Sequence, residues 1–107
     1  MRRWRGHMAN EMSRIAERLF NPKDKKPYIF NGKPLRNLKD LKDYLVAFKE
    51  EEAFWVASWL EYLGDKELAR RIRHRPHDFK DIIIGRYREL KPYSSLYGGK
   101  EPLLKKP

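Results

Sequence analysis

Phe54-Trp55-Val56-Ala57-Ser58-Trp59-Leu60-Glu61-Tyr62-Leu63, closed by Gly64-Asp65, is the stretch whose reading decides the fold. At about 100° per residue, Tyr62, Trp55, Trp59, Leu63, Val56, Leu60 and Ala57 cover well over half of a helical wheel. Ser58 and Glu61, with Phe54 between them, form the polar strip. Such a helix is a central one, with neighbours packed on several sides. Gly64 suits the left-handed position that ends it, and Asp65 suits the N-cap of the next helix.

That next helix, Lys66 to about His74, has Leu68, Ala69 and Ile72 as its apolar face. Arg70, Arg71, Arg73, His74 and Arg75 crowd its other positions, with no acid after Glu67 until Asp78. Clustered cations repel one another unless an anion answers them. This group is therefore the main candidate for phosphate contact, set against the plainer reading of a solvated basic face. Pro76 opens a fifth helix whose inner arc is Phe79, Ile82, Ile83, Tyr87 and Leu90. Arg86 falls inside that arc and must snorkel or pair with an acid such as Glu61.

Upstream, Lys49-Glu50-Glu51-Glu52 places three acids where they complement the N-terminal dipole of the Trp helix. Before it, Asn37 is the N-cap of a second helix that buries Leu38, Leu41, Leu45 and Phe48 with Tyr44. Tyr28 to Leu35 predicts a hairpin, because Asn31-Gly32 tolerates the two positive φ angles of a type I′ turn. Pro34 confines its second strand to an edge. A first helix from about Met8 to Phe20 buries Met12, Ile15, Ala16, Leu19 and Phe20, and Asn21-Pro22 ends it.

The two ends have no apolar period. Residues 1–6 form a basic arm carrying Arg2, Arg3, Trp4 and Arg5, and residues 93–107 form a tail carrying Tyr93, Tyr97, Lys100, Lys105 and Lys106. Arms of this composition suit RNA, with cations on phosphates and aromatic rings stacked on bases. The tail also holds Leu96, Leu103 and Leu104, which could pack on the core instead.

At 107 residues the chain is long enough for one core and not for two. The 25 Lys and Arg against 15 Asp and Glu leave a charge of +10, which points to a polyanionic partner, nucleic acid before a membrane surface. The surplus is sorted: residues 31–69 carry six basic and eight acidic side chains, while residues 70–107 carry eleven and four. With no cysteine, disulfides, thiolate metal sites and a Cys nucleophile are all excluded. The N-terminus has no apolar signal region and no run is long enough to span a bilayer, so a cytoplasmic protein is expected. Many charged residues and no Cys also match a thermophile's surface chemistry.

No catalytic constellation is present. His74, His77, Asp78 and Asp81 lie close in sequence, but Pro76 interrupts their spacing, and neighbouring cations disfavour a metal. There is neither a glycine-rich phosphate loop nor a nucleophile and base at a recognisable spacing.

From Tyr28 to Leu90 the pattern Ile29-Phe30-x-Gly32-x-x-Leu35-x-x-Leu38-x-x-Leu41, then Phe54, Trp59, Gly64-Asp65-x-x-Leu68-Ala69 and Ile72, resembles an archaeal domain family of unknown function. In that family a hairpin with an Asn/Asp-Gly turn precedes helices, a Trp precedes Gly-Asp, and Leu-Ala follows. Members often carry a His and an Asn-Asp pair near the Trp helix, where this chain has Phe54 and Ala57-Ser58. The resemblance implies a fold and no activity. Basic arms on a small packed domain are also similar in architecture to an archaeal ribosomal or ribosome-associated protein.

The expectation is a mainly α fold of five helices and one short β-hairpin: arm 1–6, helical domain 7–92 and tail 93–107. Its expected role is sequence-nonspecific binding of RNA as a structural component, most plausibly rRNA in the ribosome beside neighbouring ribosomal proteins. No enzyme activity, cofactor, metal, membrane or small-molecule substrate is expected. The alternative is a protein-interaction module, in which the acidic middle and the surface of the Trp helix meet a partner and the basic ends only solubilise.

Overall fold

The computed structural model describes the backbone of residues 2–94 and the side chains of residues 11–94. Five helices, α1 (Arg2–Phe20), α2 (Leu38–Asp43), α3 (Ala53–Leu63), α4 (Lys66–His74) and α5 (Phe79–Leu90), enclose one core. A hairpin of β1 (Tyr28–Phe30) and β2 (Lys33–Leu35) lies on them. The expected class is the observed one: mainly α, with a single two-stranded antiparallel sheet among the described residues.

Local chemistry sets most boundaries. Asn31 (φ 52°) and Gly32 (φ 78°) both take positive φ, as the tight turn between β1 and β2 requires. The Asn37 side chain accepts from Asp40 N–H at 2.9 Å and starts α2. Gly64 ends α3 at φ 125°, and Asp65 Oδ1 accepts from Leu68 N–H at 3.1 Å to start α4. Both caps of the α3–α4 turn are those read from Gly64-Asp65. The two helices pack on each other more extensively than any other pair of elements.

Three boundaries differ from expectation. Helix α1 begins at Arg2 and not near Met8. Its backbone therefore runs through the segment read as an arm, since Gly6 costs only about 1 kcal/mol against Ala and no proline intervenes before Pro22. Helix α2 stops at Asp43, and a 3-10 turn, Leu45–Ala47, carries Leu45 and Phe48 into the core. The acids precede α3 as a separate 3-10 turn, Glu50–Glu52, whose Glu52 side chain accepts from Lys49 N–H at 2.6 Å. At the other end Tyr93 completes a 3-10 turn against α1 and α5, and Ser94 is buried.

The core takes Ile15, Ala16, Leu19 and Phe20 from α1, Val56, Trp59, Leu60 and Leu63 from α3, and Phe79, Ile83, Tyr87 and Leu90 from α5. Below the hairpin the rings of Phe30 and Phe48 stack at 4.0 Å, and Tyr28 meets Trp59 edge-on at 5.7 Å. Inside this apolar set lies one ion pair. Arg86 donates from Nε and Nη2 to the two carboxylate oxygens of Asp65 at 2.8 and 3.0 Å, and from Nη1 to Glu89 at 3.0 Å. Burial works against its charge, yet Asp65 and Glu89 outweigh that and hold the guanidinium above its ordinary pKa. The partner of Arg86 is thus Asp65, not Glu61.

Helix α3 is less central than its composition suggests. Ala53, Val56, Ala57, Trp59, Leu60 and Leu63 are buried, but Trp55 is 71% exposed and Tyr62 43% exposed. These two belong with Phe54 and Ser58 on an outward strip. The apolar arc of the wheel is wider than the arc that the neighbouring helices cover.

Candidate nucleic-acid interface

The basic helix α4 has Leu68, Ala69 and Ile72 fixed in the core, which turns its arginines outward. Each arginine meets a carboxylate of the same chain. Arg70 donates to Glu67 from Nε at 3.1 Å and from Nη2 at 2.7 Å, and Arg71 from Nε to Glu67 at 3.0 Å. Arg71 also reaches Glu89 at 3.4 Å. Arg73 pairs with Glu61 at 2.8 Å and donates to Ser58 Oγ at 3.3 Å, and Arg75 lies 3.4 Å from Asp78. The two guanidinium groups on Glu67 pull its carboxyl down from 4.5 to about 2. Glu67 on α4 and Asp78 just beyond it answer part of this cluster. Glu61 on α3 and Glu89 on α5, not visible along α4 itself, answer the rest, so a group that seemed to call for an external anion is paired within the chain. The His74 side chain is exposed and makes no hydrogen bond or ion pair with the described residues.

These pairs differ in kind from Arg86–Asp65. Their side chains keep between 36% and 68% of their accessible surface, so water competes at each of them. Exposed pairs of this type contribute little to stability, because solvent screens them and two long side chains must be held in place. A phosphate can replace such a carboxylate at small cost, and the carboxylate meanwhile holds the guanidinium fork extended.

Along the opposite edge of the outward strip of α3 runs the lysine-rich loop of residues 21–27. The Lys26 N–H donates to Tyr62 Oη at 2.9 Å, and the Lys26 carbonyl accepts from Trp59 Nε1 at 3.0 Å. With the loop clipped in this way, Lys25 Nζ sits 4.7 Å from the centre of the Tyr62 ring. The outward strip of α3 is bordered by Lys25 and Lys26 on one side and by Arg73 on the other. This arrangement of rings between cations was not read from the sequence. Its signal was present in the spacing of Trp55 and Tyr62, which sit seven residues apart and next to Ser58 on the wheel.

Other expected site residues are not brought together. Tyr93 is 38% exposed beside α1 and α5. The side chains of Arg2, Arg3, Trp4 and Arg5, and all of Tyr97, Lys100, Lys105 and Lys106, lie outside the described residues. His77 hydrogen-bonds Glu50 at 3.2 Å while Asp78 turns to Arg75, and no three His, Asp or Glu side chains among the described residues gather around a common point. No helix among them is long and apolar enough to cross a membrane.

Comparison with protein-family models, with curated proteins and with solved structures finds no match to this chain.

Proposed function

We propose that the protein binds RNA without sequence specificity, as a structural component of a ribonucleoprotein, with the ribosome the leading setting. The observation that carries this reading is the interleaving on α3 and α4. The Tyr62 ring lies under Lys25 at one edge of the strip, Arg73 reaches Ser58 and Glu61 at the other, and Arg70 and exposed His74 accompany Arg73 on α4. Cations that track a phosphate chain beside exposed rings that stack on bases are the requirements of a sequence-tolerant RNA surface. The net charge of +10 supports the same reading. Arg2, Arg3, Trp4, Arg5, Tyr97, Lys100, Lys105 and Lys106 extend that surface in this proposal. The likeness of Tyr28–Leu90 to an archaeal domain family belongs to the proposal too and adds no activity to it.

The test is a salt titration of binding to a ribosomal RNA fragment. The logarithm of the affinity should fall linearly with the logarithm of salt concentration, and Arg70→Ala with Arg73→Ala should flatten the slope by about 1.8 if each contacts one phosphate. An unchanged slope removes α4 from the interface. Co-sedimentation of the native protein with ribosomal subunits tests the setting.

A further inference from the structure

A second surface adjoins this one and has a different character. Pro27, Tyr28, Ile29, Phe30, Trp55 and Trp59 line an open groove of about 490 Å³ between β1 and α3, with Glu52 as its one charged residue. Ile29 is 58% exposed and Trp55 71%, so the two largest free apolar side chains on its walls face solvent together. A large apolar pair of this kind on a small, highly charged fold marks a contact surface.

The backbone of β1 adds a second element. Phe30 and Lys33 flank the two-residue turn and form the hydrogen-bonded pair of the ladder. Ile29 opposite Pro34 is then the non-bonded pair, and Pro34 has no N–H to give. The N–H and C=O of Ile29 therefore point away from β2. The sheet has two strands, and no other backbone or side-chain hydrogen bond reaches Ile29 among the described residues. An open edge beside an apolar groove is the requirement for strand addition by an extended peptide.

Charge selects the peptide. Glu52 lines the groove with Oε1 engaged by Lys49 N–H and Oε2 left over, and Glu51 shares its turn, while Glu50 is turned to His77. The carboxylate also lies near enough to the Tyr28 phenol to raise its pKa, after burial as the first cause. We propose that this groove takes an extended, basic segment of another protein, which adds as a third strand along β1. In that complex the incoming backbone pairs with Ile29, an aliphatic side chain packs between Trp55 and Ile29, and a Lys or Arg meets Glu52. The site shares Trp55 with the RNA surface, which otherwise uses Tyr62, Lys25 and α4, and its open strand edge and Glu52 are its own.

The probe is a fluorescein-labelled decapeptide of alternating Lys and Val, with alternating Glu and Val as its counterpart, titrated into the full chain by anisotropy. The Lys-Val peptide should bind and the Glu-Val peptide should not. Trp55→Ala should weaken binding at least about thirtyfold, as for a central aromatic anchor. Glu52→Gln should weaken it about fivefold, as for a partly exposed charge. Glu52→Gln, at a position outside the RNA surface, should weaken peptide binding and leave the affinity for ribosomal RNA unchanged, so a failure here and a failure of the RNA reading are told apart. Because Glu52 also caps a turn, the melting temperature of each variant is measured alongside. Equal binding of both peptides, binding that survives Trp55→Ala, or no binding of either would overturn the proposal. So would an oligouridine that displaces the Lys-Val peptide from wild type, since the groove would then belong to RNA.

Discussion

Asp65 and Arg86, 21 residues apart, share a buried two-point contact at 2.8 and 3.0 Å in which the acid is also the N-cap of α4. One carboxylate thus joins the start of α4 to the middle of α5. Removing Arg86 strands a buried charge, whereas removing both members leaves none. Arg86→Leu should cost about 3–5 kcal/mol in a denaturant melt. Asp65→Asn combined with Arg86→Leu should recover part of that loss, because Asn still caps. A double variant as unstable as Arg86→Leu would assign the loss to shape and not to charge.

The two tryptophans of α3 should separate by more than tenfold in their folding equilibria. Trp59 is buried, its indole N–H bonded to the Lys26 carbonyl, so Trp59→Ala should cost about 3–5 kcal/mol. Trp55→Ala removes a ring that solvent already surrounds and should change stability by about 0.5 kcal/mol or less. Equal losses in urea melts would mean that Trp55 is covered in solution.

Glycines give changes of opposite sign. Gly64→Ala should cost about 1–3 kcal/mol, since φ of 125° strains any side chain and the new methyl would stand 2.5 Å from Arg18 Cδ. Gly85 lies on the exposed side of α5 with open space around it, so Gly85→Ala should stabilise by about 0.5–1 kcal/mol. Thermal melts of the two variants displaced in the same direction would refute the turn geometry at Gly64 or the helical one at Gly85.

Acid should loosen the α4 surface within a defined window. The carboxyl of Glu67 falls from 4.5 to about 2 on folding, so the unfolded chain takes up its proton first. The contribution of Glu67 is therefore complete above about pH 4.5 and is lost as pH falls toward about 2. A carboxyl-carbon NMR titration should place its midpoint near 2 in the folded protein, and Arg70→Ala should raise it. A midpoint close to 4.5 would show that the fork to Arg70 and Arg71 does not persist.

Most of the fold was legible because its signals are local. Asn31-Gly32 fixed the hairpin, Asn37 and Gly64-Asp65 fixed helix ends, and the arcs of α1 and α5 matched their buried faces apart from Met12 and Ile82, which are half-buried at the margins. The misreadings share one cause. Periodicity orders side chains around an axis but does not say which arc other elements will cover, so Trp55 was assigned inward. Glu61 lies on α3 and Asp65 just beyond it, and only the packing of α4 on α5 brings Asp65 to the Arg86 guanidinium. The candidate interface suffered likewise. Along α4 the arginines have only Glu67, whereas Glu61 and Glu89 reach them from helices that sequence order keeps apart.

The clip at Lys26 also makes the loop a clock. Lysine-rich surface loops are ordinarily where trypsin cuts first. Here both backbone groups of Lys26 are held, one by Tyr62 and one by Trp59, so a protease can thread the chain at Lys25 only after α3 releases it. When reclosing is fast relative to cleavage, the nicking rate reports how much of the time that release has occurred. A tether built from the backbone of a single residue thereby converts a digestion time course into a measure of how firmly the edge of α3 is held.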